Sequence, residues 1–512
     1  MSERVLSAGQ GALLLTGLGA ASQVLSFLYR VALSRLVGAE VMGLYQLVMP
    51  VQAVMMSLTA VGFTSAVSNL TSQHLALGNR LGAAQTLRIC QGLFFLLLLP
   101  IGAVVILASD AISTGILGDA RTQLGLILLV PCIALMGVEN CHKQFFYGAG
   151  LVRAPAVVEL LEQLVRTVAV LGLLLVFLPQ YPERVVGLIV GGMVVCEVFS
   201  ASTLVLLYRR HMARTPLSGP GESVPVRCRR VFAIALPVGM NALLGNLMGA
   251  ANSTLIPRKL VEGGMAREAA VSQLGVVCGM TLPMLALPTV FLGALNLVLM
   301  PRLARAAALG RPAEVRRLTG RAISAVAVLA LPSMAWMAVL GPDLGQTMFH
   351  QEGVGEYRIP LAAMMAMSCF CSVLASTLNG VGRQREVAAV SLLGGGTQLV
   401  FTLLLVPLPG VGMGGYVAGA VVSTALETGL CLALVARHTG LRLQFFQWLT
   451  APGLAALLSA LTANLLLRNL KERGLPPLAA CAAVLLFALV LYLTALAAQG
   501  VRLGQILRVK GK

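Results

Sequence analysis

The chain has 512 residues, 58% of them hydrophobic and 11% charged, with a net charge of +18 and a mean hydropathy of +0.88. Soluble domains carry about 25% charged residues, so this composition excludes a string of water-soluble domains. Its basic balance points to membrane topology instead of nucleic acid, for which no recognition module is present. About 20 apolar residues at 1.5 Å per residue cross a bilayer core of roughly 30 Å, and runs of that length recur along the whole chain.

Fourteen such segments are expected, near 10–36, 41–69, 84–108, 123–147, 154–178, 185–208, 232–256, 271–300, 322–341, 360–380, 387–408, 412–436, 449–468 and 477–499. The pattern predicts an all-α polytopic membrane protein with about 14 transmembrane helices. Lys and Arg concentrate in alternate connections, which places both termini in the cytoplasm. Their densest clusters run from Arg209 to Arg230, from Arg302 to Arg321 and from Arg502 to Lys512.

The connections are too short for a folded catalytic domain. Most of the ten cysteines lie inside apolar runs, without zinc-ligand spacing, so no metal and no disulfide framework is expected. No phosphate loop of the G-x-x-x-x-G-K-[ST] type occurs. A non-enzymatic protein without cofactors, driven by an ion, potential or substrate gradient, is the expectation.

The longest polar stretch, 209–230, carries Pro216, Gly219, Pro220, Gly221 and Pro225 and reads as a cytoplasmic linker. Sequence features recur across it. Gly19-Ala20-Ala21-Ser22 returns as Gly249-Ala250-Ala251-Asn252, Leu77-Gly78 as Leu309-Gly310, and Gly148-Ala149-Gly150 as Gly380-Val381-Gly382. Leu178-Pro179 returns as Leu408-Pro409, Glu197 as Glu427, and Pro50 corresponds to Pro283. The offset stays close to 230 residues, or six spans, so both copies enter the membrane from the same side. They form a parallel repeat, as in transporters that open alternately to each face. The expected organisation is an N-terminal six-helix lobe over 1–208, the linker over 209–230, a C-terminal six-helix lobe over 231–438, and two additional helices with a basic tail over 439–512.

Ionisable groups in lipid need a partner, a cavity or a function. Arg30, late in the first span, either snorkels to the headgroups or faces a central cavity as an anion ligand. Glu159, Glu162 and Arg166 in the fifth span share one helical face at spacings of seven and four. They either neutralise one another or form the wall of a hydrated cavity. Glu197 and Glu427 are ion-coupling candidates, with a structural role at packed helix ends as the alternative. Asn241, Asn246 and Asn252 either line a cavity or bond to neighbouring helices. Gly394-Gly395-Gly396 permits bending or close packing, and prolines 50, 283, 288 and 332 are candidate kinks.

The segment from Leu25 to Gly38, with Phe27-Leu28-Tyr29-Arg30 and Arg35, is followed by Glu40 and Gly43-Leu44-Tyr45-Gln46. Together with Leu161-Glu162-Gln163-Leu164-Val165-Arg166 it resembles the stage V sporulation protein B group. That group belongs to the multidrug/oligosaccharidyl-lipid/polysaccharide exporter superfamily, which also holds the MurJ lipid II flippases. The resemblance covers essentially the whole chain. It implies two lobes around a cationic cavity, with the last two spans helping to form a groove for a lipid tail, and it places Arg30 and Arg35 in the matching first-span motif. Gln23 stands where MurJ proteins tend to carry another arginine. The second span has no charged residue between Val51 and Leu70, and the eleventh lacks the acidic residue of a sodium site.

The resulting expectation is a monomeric flippase of the bacterial cytoplasmic membrane, acting in cell-wall or spore-cortex synthesis. It would move an undecaprenyl-pyrophosphate-linked glycan, foremost lipid II, by alternating access. The substrate-binding set would be Arg30, Arg35, Arg166, Glu159, Glu162, Gln23, Gln46, Asn241 and Asn252. Partners would be the lipid-linked oligosaccharide, membrane lipids and cell-wall synthases. A cation-coupled multidrug exporter is the rival, as is a flippase for teichoic, capsular or exopolysaccharide intermediates.

Overall fold

The computed structural model describes residues 8–213, 218–221, 223–351, 353–441 and 446–500. Arg214 and Pro216 of the expected linker, and the basic tail from Arg502 to Lys512, lie outside the described residues. Among those described, all regular secondary structure is helical. In hydrocarbon each backbone N–H and C=O must find a partner within its own segment, which a helix provides.

Among the described residues, thirteen helical stretches are long and apolar enough to cross a membrane. The first, Gly17–Ala76, has 60 residues, or about 90 Å at the rise of an α-helix, and holds the first two expected spans. It is built from α1 (Ala8–Met56), a π-turn and α2 (Gly62–Ala76). Within α1 the helix breaks at Gly38, whose φ of 79° and ψ of 177° suit a residue without Cβ. The helix therefore changes direction between the two expected spans.

The next elements are α3 (Arg80–Leu107), α4 (Gln123–Gly148), α5 (Arg153–Phe177), α6 (Val185–Ala213) and α7 (Val224–Glu262). The eighth expected span is segmented: α8 (Arg267–Leu274), a π-turn over Gly275–Thr281, α9 (Leu282–Ala286), a 3-10 turn over Leu287–Val290, then α10 (Phe291–Ala308). Pro283 and Pro288 cannot donate to the helical ladder, and the Thr281 hydroxyl bonds back to the Val276 carbonyl at 2.9 Å. Pro50 and Pro332, by contrast, lie inside helices that continue past them. The chain ends with α11 (Pro312–Phe349), α12 (Arg358–Gly380), α13 (Gln384–Leu404), α14 (Met413–Thr439), α15 (Ala451–Glu472) and α16 (Pro477–Ala498).

Two compact units result, meeting in sequence at Leu255 and Ile256, inside α7. In the first, α6 packs on α4 and α5, and α4 packs on α2 and α3. In the second, α14 packs on α12 and α13, and α12 packs on α10 and α11. The neighbour scheme is the same eight elements later. Gly150 and Gly382 also match in conformation, with φ of 74° and 82° after α4 and α12. The sequence repeat is thus a repeat of local backbone and of packing.

Beyond that scheme, α15 and α16 pack on α11. Small residues, Ala455, Ala456, Ala460 and Ala463, face Ala480, Val484 and Ala488 in one buried cluster, because small side chains let helices approach where no hydrophobic drive exists between them. The Trp336 indole N–H donates to Ser459 Oγ at 3.0 Å, and the Tyr492 hydroxyl donates to the Val328 carbonyl at 2.9 Å. Both polar tips are satisfied within the cluster.

Candidate functional site

The face of α5 expected from its spacing is the centre of a buried polar cluster. Arg166 Nη2 donates to Glu162 Oε1, one turn earlier, at 2.5 Å, and to Glu197 Oε1 on α6 at 3.2 Å. Glu162 is 5% exposed and Glu197 1%. The Ser200 hydroxyl reaches the other Glu162 oxygen at 3.5 Å. Glu197 Oε2 and Arg166 Nε are buried without a hydrogen-bond partner among the described residues.

A second ion set joins the first from α4. Lys143 Nζ lies 2.9 Å from Glu139 and 3.7 Å from Glu159, and Glu139 is buried. The cluster holds four carboxylates, Glu139, Glu159, Glu162 and Glu197, against two cations, Lys143 and Arg166. If every group is ionised it carries a formal charge of −2. Glu139, Glu162 and Glu197 are buried while Glu159 is half-exposed, so three buried carboxylates rely on Lys143 and Arg166 for compensation. One Glu162 oxygen, one Glu197 oxygen and Cys196 Sγ lie within 4.8 Å of one another, a donor set of metal-ligand type, but the Arg166 guanidinium already supplies positive charge there.

Glu139 and Lys143 were legible in the sequence and were missed. An i, i+4 pair of opposite charges inside the apolar run 123–147 is the same signal that marks α5. No charged residue stands 230 to 235 positions after Glu139, Lys143, Glu159, Glu162 or Arg166. The cluster therefore belongs to the first half alone.

From α1, which packs along α5, Tyr29 brings a buried hydroxyl, without hydrogen-bond partner among the described residues, into electrostatic reach of Arg166. Arg30 follows, half-buried, and makes no ion pair among the described residues. The other expected residues are dispersed. Gln23, Arg35 and Asn241 are exposed, while Gln46 and Asn252 are half-buried. Asn246 donates to the Ala53 carbonyl at 3.2 Å, a helix-packing bond.

Glu427 differs from its repeat partner. It is half-buried on α14 and forms no ion pair among the described residues. Its carboxylate lies against Gly394 of α13, where a Cβ would stand 1.8 Å from Oε1. Gly394 is thus the close-packing surface for that side chain.

This architecture defines a class. A solved structure titled "Lipid II flippase MurJ, inward closed conformation" matches with a TM-score of 0.73 at 10% identity, covering 95% of this chain and 98% of that one. A multidrug resistance MATE family transporter of the MOP superfamily, in its inward-facing conformation, matches with a TM-score of 0.65 at 12% identity, covering 84% of this chain and 98% of that one. The protein has the multi-pass fold of the multidrug/oligosaccharidyl-lipid/polysaccharide exporter superfamily.

Sequence comparison places it more narrowly. The family described as "Polysaccharide biosynthesis protein" matches residues 8–307, and the chain belongs to that family. Stage V sporulation protein B of Bacillus subtilis (strain 168) is 22% identical over 439 residues, which cover 84% of this chain and 83% of that protein.

Proposed function

We propose that this protein is a non-enzymatic flippase that carries an undecaprenyl-pyrophosphate-linked glycan, lipid II foremost, across the bacterial cytoplasmic membrane by alternating access, with both termini cytoplasmic. The carrying observation is the contrast between two arginines. Arg166 is committed to Glu162 and Glu197, whereas Arg30 is half-buried with no carboxylate on it. A guanidinium without a counter-ion, inside a membrane-spanning helix, suits a pyrophosphate that donates no hydrogen bonds and accepts paired ones. The charged headgroup needs such a route through hydrocarbon, while the polyprenyl tail never has to leave it. The family and the names of its relatives support this substrate class.

The test is reconstitution in liposomes carrying labelled lipid II, with headgroup exposure read by a membrane-impermeant probe. Protein-dependent exposure lost in Arg30→Ala is expected. Near-normal exposure in that variant removes Arg30 from the path. No exposure above empty liposomes, from folded protein, redirects the search to teichoic, capsular or exopolysaccharide carriers.

The acidic surplus around Arg166 favours a second reading, a cation-coupled exporter of small amphipathic compounds. On that reading, transport is independent of any lipid carrier and collapses in Glu197→Gln. On the first reading, Glu197 and Glu427 serve as ion-coupling groups of lipid transport.

A further inference from the structure

A cavity of about 230 Å³ opens where four helices of the first unit end together, lined by Leu75, Ala83, Phe145, Met212, Arg80 and His211 among others. That is well beyond one water molecule, whose share of liquid volume is about 30 Å³. Its wall is apolar, and its two polar members carry or can carry positive charge. Arg80 is the first residue of α3, exposed, and its guanidinium makes no ion pair among the described residues.

The surroundings have the same sign. Arg153 opens α5, and Arg209 and Arg210 lie in the last turns of α6, all exposed. The described stretches 72–90, 143–158 and 198–213, which form this end of the unit, contain no Asp or Glu, and Glu222 lies outside the described residues. At the opposite end, Arg121 is held by Asp119 and Glu40. A basic rim above an apolar chamber, where four helices end, is complementary to one class of ligand: a phosphate ester with hydrocarbon attached.

We propose that this cavity binds an anionic phospholipid of the adjacent leaflet, with its phosphate on Arg80 and His211 and the start of an acyl chain against Leu75, Phe145 and Met212. The occupant is a bilayer component and not the transported molecule, so the site stands independently of the flippase reading. Juxtamembrane basic residues gain affinity from anionic headgroups. The forked guanidinium of Arg80 adds paired hydrogen bonds to the phosphate oxygens.

The test uses the full chain in phosphatidylcholine vesicles containing a photoactivatable phosphatidylglycerol, with cross-linked peptides mapped. Adducts are expected on Leu75, Ala149 or Met212. They should be about fivefold fewer in Arg80→Gln, unchanged in Arg184→Gln at the opposite end of the unit, and competed by unlabelled phosphatidylglycerol but not by phosphatidylcholine. His211→Gln provides the same test should Arg80→Gln fail to fold. Adducts spread evenly over all helix ends, or unchanged in both variants, overturn the proposal. Equal competition by inorganic phosphate assigns a soluble anion instead, and selective displacement by lipid II assigns the transport substrate. Either result also overturns it.

Discussion

Arg166 and Glu197 face each other at 3.2 Å across α5 and α6, and the same guanidinium nitrogen is held by Glu162 at 2.5 Å. One cation thereby organises two buried carboxylates on different helices. Removing it leaves both without compensation, which for a buried pair costs about 3–5 kcal/mol. Arg166→Leu should therefore lower the melting temperature of the purified protein sharply. Adding Glu197→Gln should recover part of the loss. An unchanged melt in Arg166→Leu would show that the cluster holds no stability.

Glu427 and Gly394 make the corresponding contact in the second unit by shape, without charge. A methyl at position 394 would meet the carboxylate at 1.8 Å, so Gly394→Ala should destabilise by about 1–3 kcal/mol. Glu427→Ala should suppress that effect, and a double-mutant cycle measures the coupling. Additive effects would mean that the two residues do not touch.

Gly38 carries the turn between the first two spans at φ 79° and ψ 177°. Gly38→Ala should cost about 1–3 kcal/mol, since that region is essentially closed to residues with a Cβ. Gly92, inside α3 with open space where its Cβ would lie, is the control. Gly92→Ala should be neutral or stabilising by about 0.5–1 kcal/mol. Thermal melts of both variants side by side decide the point.

Asn79 joins α3 to the segment that leads to α7. Its side-chain oxygen caps the Gly82 amide at 2.7 Å, its amide donates to the Pro220 carbonyl at 3.0 Å, and the Leu81 amide bonds to Ser218 at 3.1 Å. Asn79→Ala should lose about 1–2 kcal/mol with the cap. Asn79→Asp keeps the acceptor but sets a carboxylate oxygen against the Pro220 carbonyl, so its melt should also fall and hydrogen exchange at Leu81 should quicken. Slow exchange in the Asp variant would show that the Pro220 bond does not hold this segment.

The sequence by itself determined the helical spans, their repeat in two halves, and the charged face of α5. These follow from short-range rules: apolar run length against bilayer thickness, and a helical period that puts residues 159, 162 and 166 on one side. The same rules reached Gly148-Ala149-Gly150 and its partner Gly380-Val381-Gly382, because the backbone after each helix needs the same left-handed turn. Tertiary structure alone decided which helix supplied the counter-charges. Glu197 closes on Arg166 from 31 positions away, and Lys143 reaches Glu159 from a different helix, α4. It also separated Glu197 from Glu427, which the repeat makes equivalent, since one meets a guanidinium and the other a glycine. Pairing between helices depends on rotation and depth within the packed unit, and spans that are apolar all round leave both unspecified.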